Sequence, residues 1–499
     1  MNAWRTAHNS AWTLRGTGAF RWLRALPHLH MAKRVHFIAI GGSAMHNLAI
    51  ALHQQGFEVT GSDDEIFEPS RSRLDRLGLM PDKLGWDPYR ITNDIDAVIL
   101  GMHARVDNPE LVRAQELGVP VFSYPSYFHE RTRDKTRVVI GGSHGKTTIT
   151  SMIVHVLRHA GVEFDYLVGA QLEGFDCMVK VSDKSRVAII EGDEYLASAL
   201  EPVPKFHLYK PDIALISGIA WDHVNVFKTF ESYVDQFRKF IALIEPGGKL
   251  VYCGEDEEVK QLAEEKEVSF RQAHGDISRV KYGVPEHRIE EGITILSTVH
   301  GDVRLQVFGR HNLQNLEGAR HVCHLLGIGD KEFYTAIGSF HGAAKRLEKL
   351  AEAPGRSVFK DFAHSPSKLN ATVQAVREQF PARRLVACME LHTYSSLSEG
   401  FLDQYAGTMD QADTAIVFYD PHAVQLKRLP PIPLERIQRA FGRKDLRVLT
   451  DPIAVMGAVR EQSHHPVRDD RHQGSVLLMM SSGNFGGLDL QAVSEAFIA

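Results

Sequence analysis

Between residues 137 and 161 the sequence reads RVVIGGSHGKTTITSMIVHVLRHAG. A β-branched run delivers Gly141 and Gly142, and Gly145-Lys146-Thr147-Thr148 then opens a segment with helical spacing of its apolar residues. This order suits a phosphate. Backbone N–H groups of a glycine turn face an anion at a helix N-terminus, and a lysine adds charge for terminal phosphates. The candidate cradle is Gly142, Ser143, His144, Gly145, Lys146, Thr147 and Thr148, with the Thr147 hydroxyl offered to Mg2+. One detail departs from the GxxxxGK[ST] spacing, because the position five before Gly145 is Ile140. A glycine-rich helix cap is the structural alternative, and the strand before and helix after weigh against it.

A metal that bridges phosphates needs hard oxygen ligands from elsewhere in the chain. The run VAIIEGDEY ends in Glu191, Asp193 and Glu194, and IALISGIA ends in Trp221-Asp222-His223. Parallel strand ends converge on a ligand crevice, so two such clusters after a phosphate loop make a candidate metal and phosphate site. Singly, each would read as solvated loop charge. The 26 histidines include no HExxH pair, so His464 and His465 read as surface or core residues rather than ligands, and the VRDDRH stretch reads as a solvated loop. His392, Thr393, Ser395 and Ser396 follow the strand-like RLVACMEL, where substrate contact and a simple polar turn are equal readings.

The elements that must position these groups alternate between strand and helix. Residues 31 to 135 carry VHFIAI, a GGSAM turn, the helical HNLAIALHQQG and the strands FEVTGSD and IDAVILG, a doubly wound α/β pattern. Its turn offers Gly41, Gly42, Ser43, Ala44 and Met45, with Ser62 and Asp63 at the end of the next strand. Asp63 lies 22 residues past Gly41 and could bind a ribose hydroxyl in a UDP-sugar domain or in an NAD-binding one. Ala39 and Ala44 stand where a dinucleotide fingerprint would have glycines. Residues 136 to 343 form a second unit around the phosphate loop, with a β insertion expected from about 255 to 307 (ITILSTV, VRLQVF). Residues 344 to 499 form a third, with SVFKDFA, RLVACMEL, TAIVFYD and SVLLMMSSG as strands. The fold class is α/β, three domains in series.

The whole-chain balance, 57 Lys and Arg against 62 Asp and Glu, excludes a basic nucleic-acid footprint, so any anion must be met locally. Cys177, Cys253, Cys323 and Cys388 are widely separated without a CxxC pair, which fits reduced thiols in a cytoplasmic protein. No run of eighteen apolar residues offers a membrane span. Residues 1 to 30 have four arginines and no acid, the flavour of a transit peptide or of an extension upstream of Met31, and stand outside the fold argument.

GSHGKTT, EGDEY, the WDH after IALISGIA, FGRHNLQN, AKRLE and DFAHSP occur in the order found in the Mur ligases, and from 31 to 499 the chain resembles that family. The resemblance accounts for the shortened loop, since the family's cradle is G-[ST]-x-G-K-[ST]. It implies an ATP-dependent amide ligase with a Rossmann-like UDP-sugar domain, a P-loop ATPase-like central domain and a Rossmann-like C-terminal domain. By resemblance Lys146 neutralises the β- and γ-phosphates of ATP, while Thr147, Glu191 and His223 belong to the metal sites. His311, Asn312 and Asn315 stand beside the adenine, Arg346 reaches the phosphates and Asp361 faces the ribose. The modified lysine of several members aligns with Phe237, which points to the muramate-using branch; Lys239 lies on another face of the same helix.

The implied donor is UDP-N-acetylmuramate, and the acceptor is L-alanine or a peptide. AAKRLEKL, EGDEY and SSGNFGGL resemble the peptide-using members more than the alanine-using ones. Lys345, Lys360 and Ser365 depart from both, standing where an arginine, an aspartate and a histidine are expected. A nucleotide-binding homologue without catalysis is the rival of a different class.

Overall fold

The computed structural model describes residues 34–499 apart from 103, 170, 173, 199, 222–225, 266–276, 344, 345 and 465–471. The N-terminal extension, Asp222, His223, Lys345, His465 and the first five residues of VRDDRH therefore lie outside the described residues. Among those described, the strands assemble into four sheets.

The first is a parallel sheet of β1 (Arg34–Ile38), β2 (Glu58–Ser62), β3 (Ala97–Leu100) and β4 (Val121–Ser123), in the order β2-β1-β3-β4. The apolar side chains of β1 and β3 are sealed, as expected for strands covered on both faces by helices. Beyond β1 the chain turns through Ala39 in the left-handed region, φ 68°, and the N–H groups of Ala39 and Ile40 both donate to Ser62 O.

The second sheet holds β5 (Thr136–Gly141), β6 (Asp165–Leu167), β7 (Val179–Lys180), β8 (Val187–Glu191), β9 (Ile213–Ile216), β10 (Lys249–Cys253) and β11 (Ser278–Tyr282). Its order is β11-β10-β9-β5-β8-β6-β7, parallel except for the β6–β7 pair. β5 lies between β8 and β9, so the glycine turn leaves the middle of the sheet with the strand ends carrying Glu191 and Ser217 on either side. The helix Lys146–His159 buries Ile149, Met152, Ile153 and Val156, an i, i+3, i+4, i+7 stripe, against Leu313, Leu316 and Ala319 of the helix Arg310–Leu325.

The expected insertion is an antiparallel sheet of β12 (His287–Glu290), β13 (Ile293–Thr298) and β14 (Gly301–Arg304). VRLQVF leaves strand geometry after Arg304, because Leu305 and Val307 turn into the central core and Phe308 into the next one.

The fourth sheet holds β15 (Glu348–Ala353), β16 (Arg356–Asp361), β17 (Arg384–Leu391), β18 (Thr414–Tyr419), β19 (Arg447–Leu449) and β20 (Ser475–Met480). Its order is β15-β16-β20-β17-β18-β19, with only the edge strand β15 antiparallel. The helix Pro366–Gln379, packed on this sheet, meets the insertion through Gln379, whose Nε2 donates to Gly292 O at 2.6 Å and whose Oε1 accepts from Thr294 Oγ1 at 3.0 Å. Phe308 packs beside Phe359 and Phe380 at the same seam, with ring centroids 5.3 and 5.8 Å away.

Candidate active site

The phosphate loop is held open by contacts that leave no room for side chains. Gly142 has φ 136°, and a Cβ there would come 2.2 Å from Ser217 Oγ; Gly145 has φ 80°, and a Cβ there would come 2.4 Å from Asn315 Oδ1. Both positions demand glycine on conformation and on space. Ser143 is tied by its N–H to Gly218 O at 2.9 Å, while its hydroxyl meets the Tyr233 hydroxyl at 2.9 Å and accepts from Ala220 N at 2.8 Å. Thr148, buried in the first turn of the helix, completes the loop.

Lys146 reaches back over this turn. Its Nζ donates to Gly142 O at 2.5 Å and to Glu194 Oε2 at 2.6 Å, and the other Glu194 oxygen accepts from Tyr233 at 3.1 Å. Burial pulls the Lys146 ammonium down, but Glu194, Asp193 and Glu191 together outweigh it, so it lies above the ordinary lysine range and is charged. Thr147 Oγ1 donates to Glu191 Oε1 at 2.7 Å, and Glu191 Oε2 accepts from Gly169 N at 2.8 Å. A hydroxyl and a carboxylate, both hard oxygen donors, thus meet at the mouth of the loop, which fits Mg2+. Asp193 instead pairs with Lys205, Nζ to Oδ2 at 2.5 Å.

A cavity of about 410 Å³ spreads from this loop to the third domain. The residues from 143 to 148, with Glu191, form one wall; His311, Asn312 and Asn315 form a second; Arg346 and Asp361 form a third. The Arg346 guanidinium lies over the Phe362 ring, 4.8 Å from its centroid. Asp361 is fixed by Leu347 N and Ala363 N, each donating at 2.8 Å, and by Thr372 Oγ1 at 3.2 Å. Burial, with Lys368 and Lys146 nearby, pushes the His144 imidazole down to about 4, so it is neutral at pH 7. Apart from His223 and Gly142, which lies behind the loop against Ser217, the residues chosen for nucleotide and metal are therefore brought to one chamber.

Sequence reasoning missed Ser217, His364 and Lys368, which line the same chamber. Ser217 directly follows β9 and had a signal, the strand-end rule. Lys368 had none, since nothing in SPSKLN separates a cavity lysine from a surface one. Tyr233, four residues before Phe237 on the helix Phe230–Ala242, carries no sequence signal of its hydroxyl's contacts with Ser143 and Glu194. Phe237 itself is sealed between Phe206 and Tyr233 and offers no ligand atom, whereas Lys239 is exposed and pairs with Asp235 at 2.7 Å. Among the described residues no cluster of three or more His, Cys, Asp or Glu has the disposition of a metal site. The four cysteines are buried and unpaired. Among the described residues no helix is long and apolar enough to cross a membrane.

In the first domain Gly41 N donates to Asp63 Oδ2 at 2.7 Å, so the turn and the carboxylate close on each other. Burial raises Asp63 to about 6. Gly42 and Ser43 are exposed at the start of the helix Ser43–Gln54, with Ala44 half-buried and Met45 buried. Ser62 departs from this group, since it is fully buried and its hydroxyl donates to Glu110 in the interior. At the far end of the chain Glu390 is buried below SSGNFGGL, accepting from Ser481 Oγ and from Phe485 N at 2.8 Å. Thr393 Oγ1 accepts from Ser396 N at 3.1 Å, the geometry of a polar turn.

Comparisons with known proteins bear on the whole chain. Family descriptions match in succession: Mur ligase family, catalytic domain, over residues 34–136; Mur ligase middle domain over 140–323; Mur ligase, glutamate ligase domain, over 345–483. The UDP-N-acetylmuramate–L-alanine ligase of Mycolicibacterium gilvum (strain PYR-GCK) is 31% identical, covering 80% of this chain and 85% of its own. The UDP-N-acetylmuramate–L-alanyl-gamma-D-glutamyl-meso-2,6-diaminoheptandioate ligase of Escherichia coli (strain K12) is 26% identical, covering 91% and 96%. The crystal structure of the UDP-N-acetylmuramate-alanine ligase of Thermotoga maritima superposes with a TM-score of 0.64 at 21% identity, over 93% of this chain and 98% of that one. With cradle, chamber and three-domain order in place, the chain belongs to the Mur ligase family, the ATP-dependent amide ligases.

Proposed function

We propose that this ligase joins the lactyl carboxylate of UDP-N-acetylmuramate to L-alanyl-γ-D-glutamyl-meso-diaminopimelate, in murein recycling in the cytoplasm. The observation that carries the ligase chemistry is the single chamber lined at once by Lys146, Glu191, Asn312, Arg346 and Asp361. The peptide acceptor is supported by Tyr195 in EGDEY, by the RLE that follows Lys345 and by the SSGNFGGL loop, all of which resemble the peptide-using members.

In the reaction, the muramyl carboxylate attacks the γ-phosphorus of ATP and ADP leaves, giving an acyl phosphate. The acceptor's free α-amine then attacks the acyl carbon, and phosphate departs from the tetrahedral intermediate. Lys146 and the turn amides hold charge on the β- and γ-phosphates, and Arg346 meets it from the third domain. Thr147 and Glu191, with His223, would hold Mg2+, which when bound neutralises phosphate charge. Glu194 has both oxygens engaged and serves to hold Lys146 rather than to take the amine proton. Closure of the third domain over the chamber fixes the reactants and excludes water from the acyl phosphate.

L-alanine as acceptor is the second reading, favoured by the name of the 31% identical relative. A phosphate-release assay with ATP, UDP-N-acetylmuramate and either acceptor separates them. Release dependent on the tripeptide upholds the proposal, and release with L-alanine alone moves the enzyme to that acceptor. Nucleotide binding without muramate-dependent release would leave a non-catalytic homologue.

A further inference from the structure

The proposed sugar turn and the proposed metal site stand in different domains, yet a run of hydrogen bonds, closed by the single peptide link from Val168 to Gly169, joins them. It passes through Asn47, a residue of the helix Ser43–Gln54 that is 4% exposed and faces the central domain. Asn47 Nδ2 donates to Ser43 O in the turn at 2.8 Å. Its Oδ1 accepts from Met178 N at 3.0 Å, across the domain boundary. The orientation of the amide is fixed by its partners, because a carbonyl demands the NH2 end and a backbone N–H demands the oxygen. Met178 O in turn accepts from Val168 N at 3.0 Å. The next residue, Gly169, donates its N–H to Glu191 Oε2, and Glu191 Oε1 takes the Thr147 hydroxyl. Around the junction, Arg73 NH1 reaches Asn47 Oδ1 at 3.3 Å and the Cys177 thiol donates to Asn47 O at 3.2 Å.

Each link constrains the next. Gly169 is packed so closely that a Cβ on it would stand 3.1 Å from Glu191 Oε1, so a shift of the 168–169 backbone moves the carboxylate. A shift of the Gly42–Ser43 turn on closing around a ligand displaces Ser43 O, and Asn47 cannot follow it without straining the bond from Met178 N. We propose that Asn47 is a positioning residue for the ligase reaction, setting the Glu191 carboxylate according to whether the first-domain turn holds the UDP-sugar. The inference rests on the proposed assignment of the sugar turn and of Glu191. It adds that the two ligands are coupled energetically, and through a named amide. By linkage the coupling is reciprocal. The sugar tightens nucleotide binding and the nucleotide tightens sugar binding by the same factor.

The test is calorimetric titration of the full chain with Mg2+ and a non-hydrolysable ATP analogue, with and without UDP-N-acetylmuramate, and in the reverse order. The expected wild-type result is a mutual tightening of fivefold or more. Asn47→Ala, which removes both arms, should reduce the factor below twofold. Asn47→Asp keeps the acceptor for Met178 N but cannot donate to Ser43 O, and should lose the coupling equally while melting near the wild-type temperature. Glu201→Gln, which disturbs a separate contact between the domains at Ser126, where the hydroxyl donates to Glu201 at 2.8 and 2.9 Å, should keep it. Wild-type coupling preserved in both Asn47 variants would overturn the proposal, as would a wild-type factor of one with both ligands bound. Failure of the wild type to bind the sugar at all would instead overturn the functional assignment beneath it.

Discussion

The Lys146 ammonium lies 2.6 Å from Glu194 Oε2, and that carboxylate, 1% exposed, takes the Tyr233 hydroxyl on its other oxygen. Removing one member of such a buried pair strands the other. Glu194→Ala should cost about 3 kcal/mol of stability without nucleotide, and saturating ADP should recover much of it, since phosphate replaces the lost anion beside Lys146. Thermal melts with and without ADP read both effects. Lys146→Ala should abolish ADP formation with the fold retained, as judged by circular dichroism.

Gly145 carries a second expectation. Any Cβ there meets Asn315 Oδ1 at 2.4 Å and must also adopt φ 80°. Gly145→Ala should therefore raise the KM for ATP at least tenfold, a lower bound of about 1.4 kcal/mol, with little change in the KM for the sugar. Steady-state kinetics with each substrate varied in turn distinguishes this from general unfolding.

Lys368 enters the chamber from the first turn of the helix Pro366–Gln379 and faces the loop histidine. Lys368→Ala should weaken ATP several-fold at low ionic strength and less in high salt, because charge at the rim of an open chamber is screened. Equal loss at both salt levels would argue that the side chain packs rather than attracts.

Asp63 gives a pH dependence. Its carboxyl is raised from the usual 3.8 to about 6 by burial, so between those values the folded state binds more protons than the unfolded chain. Stability from this group is full below about pH 4 and is lost as pH rises through 6, a swing on the order of 2–3 kcal/mol. Asp63→Asn, which keeps an acceptor for Gly41 N, should flatten that part of the curve in denaturant titrations.

Ala39 holds φ 68°, which costs an L-residue about 1–2 kcal/mol. Glycine relieves the strain and loses about 0.5–1 kcal/mol of that through chain entropy, so Ala39→Gly should stabilise the first domain by no more than about 1.5 kcal/mol. Ala39→Val should destabilise it, as a branched side chain fits that region worst.

The central motif was legible in the sequence because its groups are consecutive: turn, lysine and hydroxyl lie within seven residues, and local order alone dictates a helix N-terminus. The strand end at Glu191 follows from parallel topology, and the same rule applied to the next strand leads to Ser217, which the motif WDH drew attention away from. His311, Asn312, Arg346 and Asp361 came only through family resemblance, since more than 160 residues separate them from the loop and no local pattern records that they meet it. Lys368 and the Asn47 junction were hidden for the same reason, being products of how domains abut. Among the strands, β6, β7, β11, β12, β15 and β19 were not named, because they are short pieces, most of them at sheet edges, with charged or ambiguous alternation, held by a neighbouring strand more than by their own propensity.

The seam at Gln379 has a consequence for how the chain can be divided. Gln379 clasps Gly292 and Thr294 while Phe308, Phe359 and Phe380 share one greasy joint, all without help from the covalent linker between 341 and 347. A protease nick in that linker would leave two pieces that still recognise each other, so the enzyme is suited to splitting there and to reassembling from separately expressed halves.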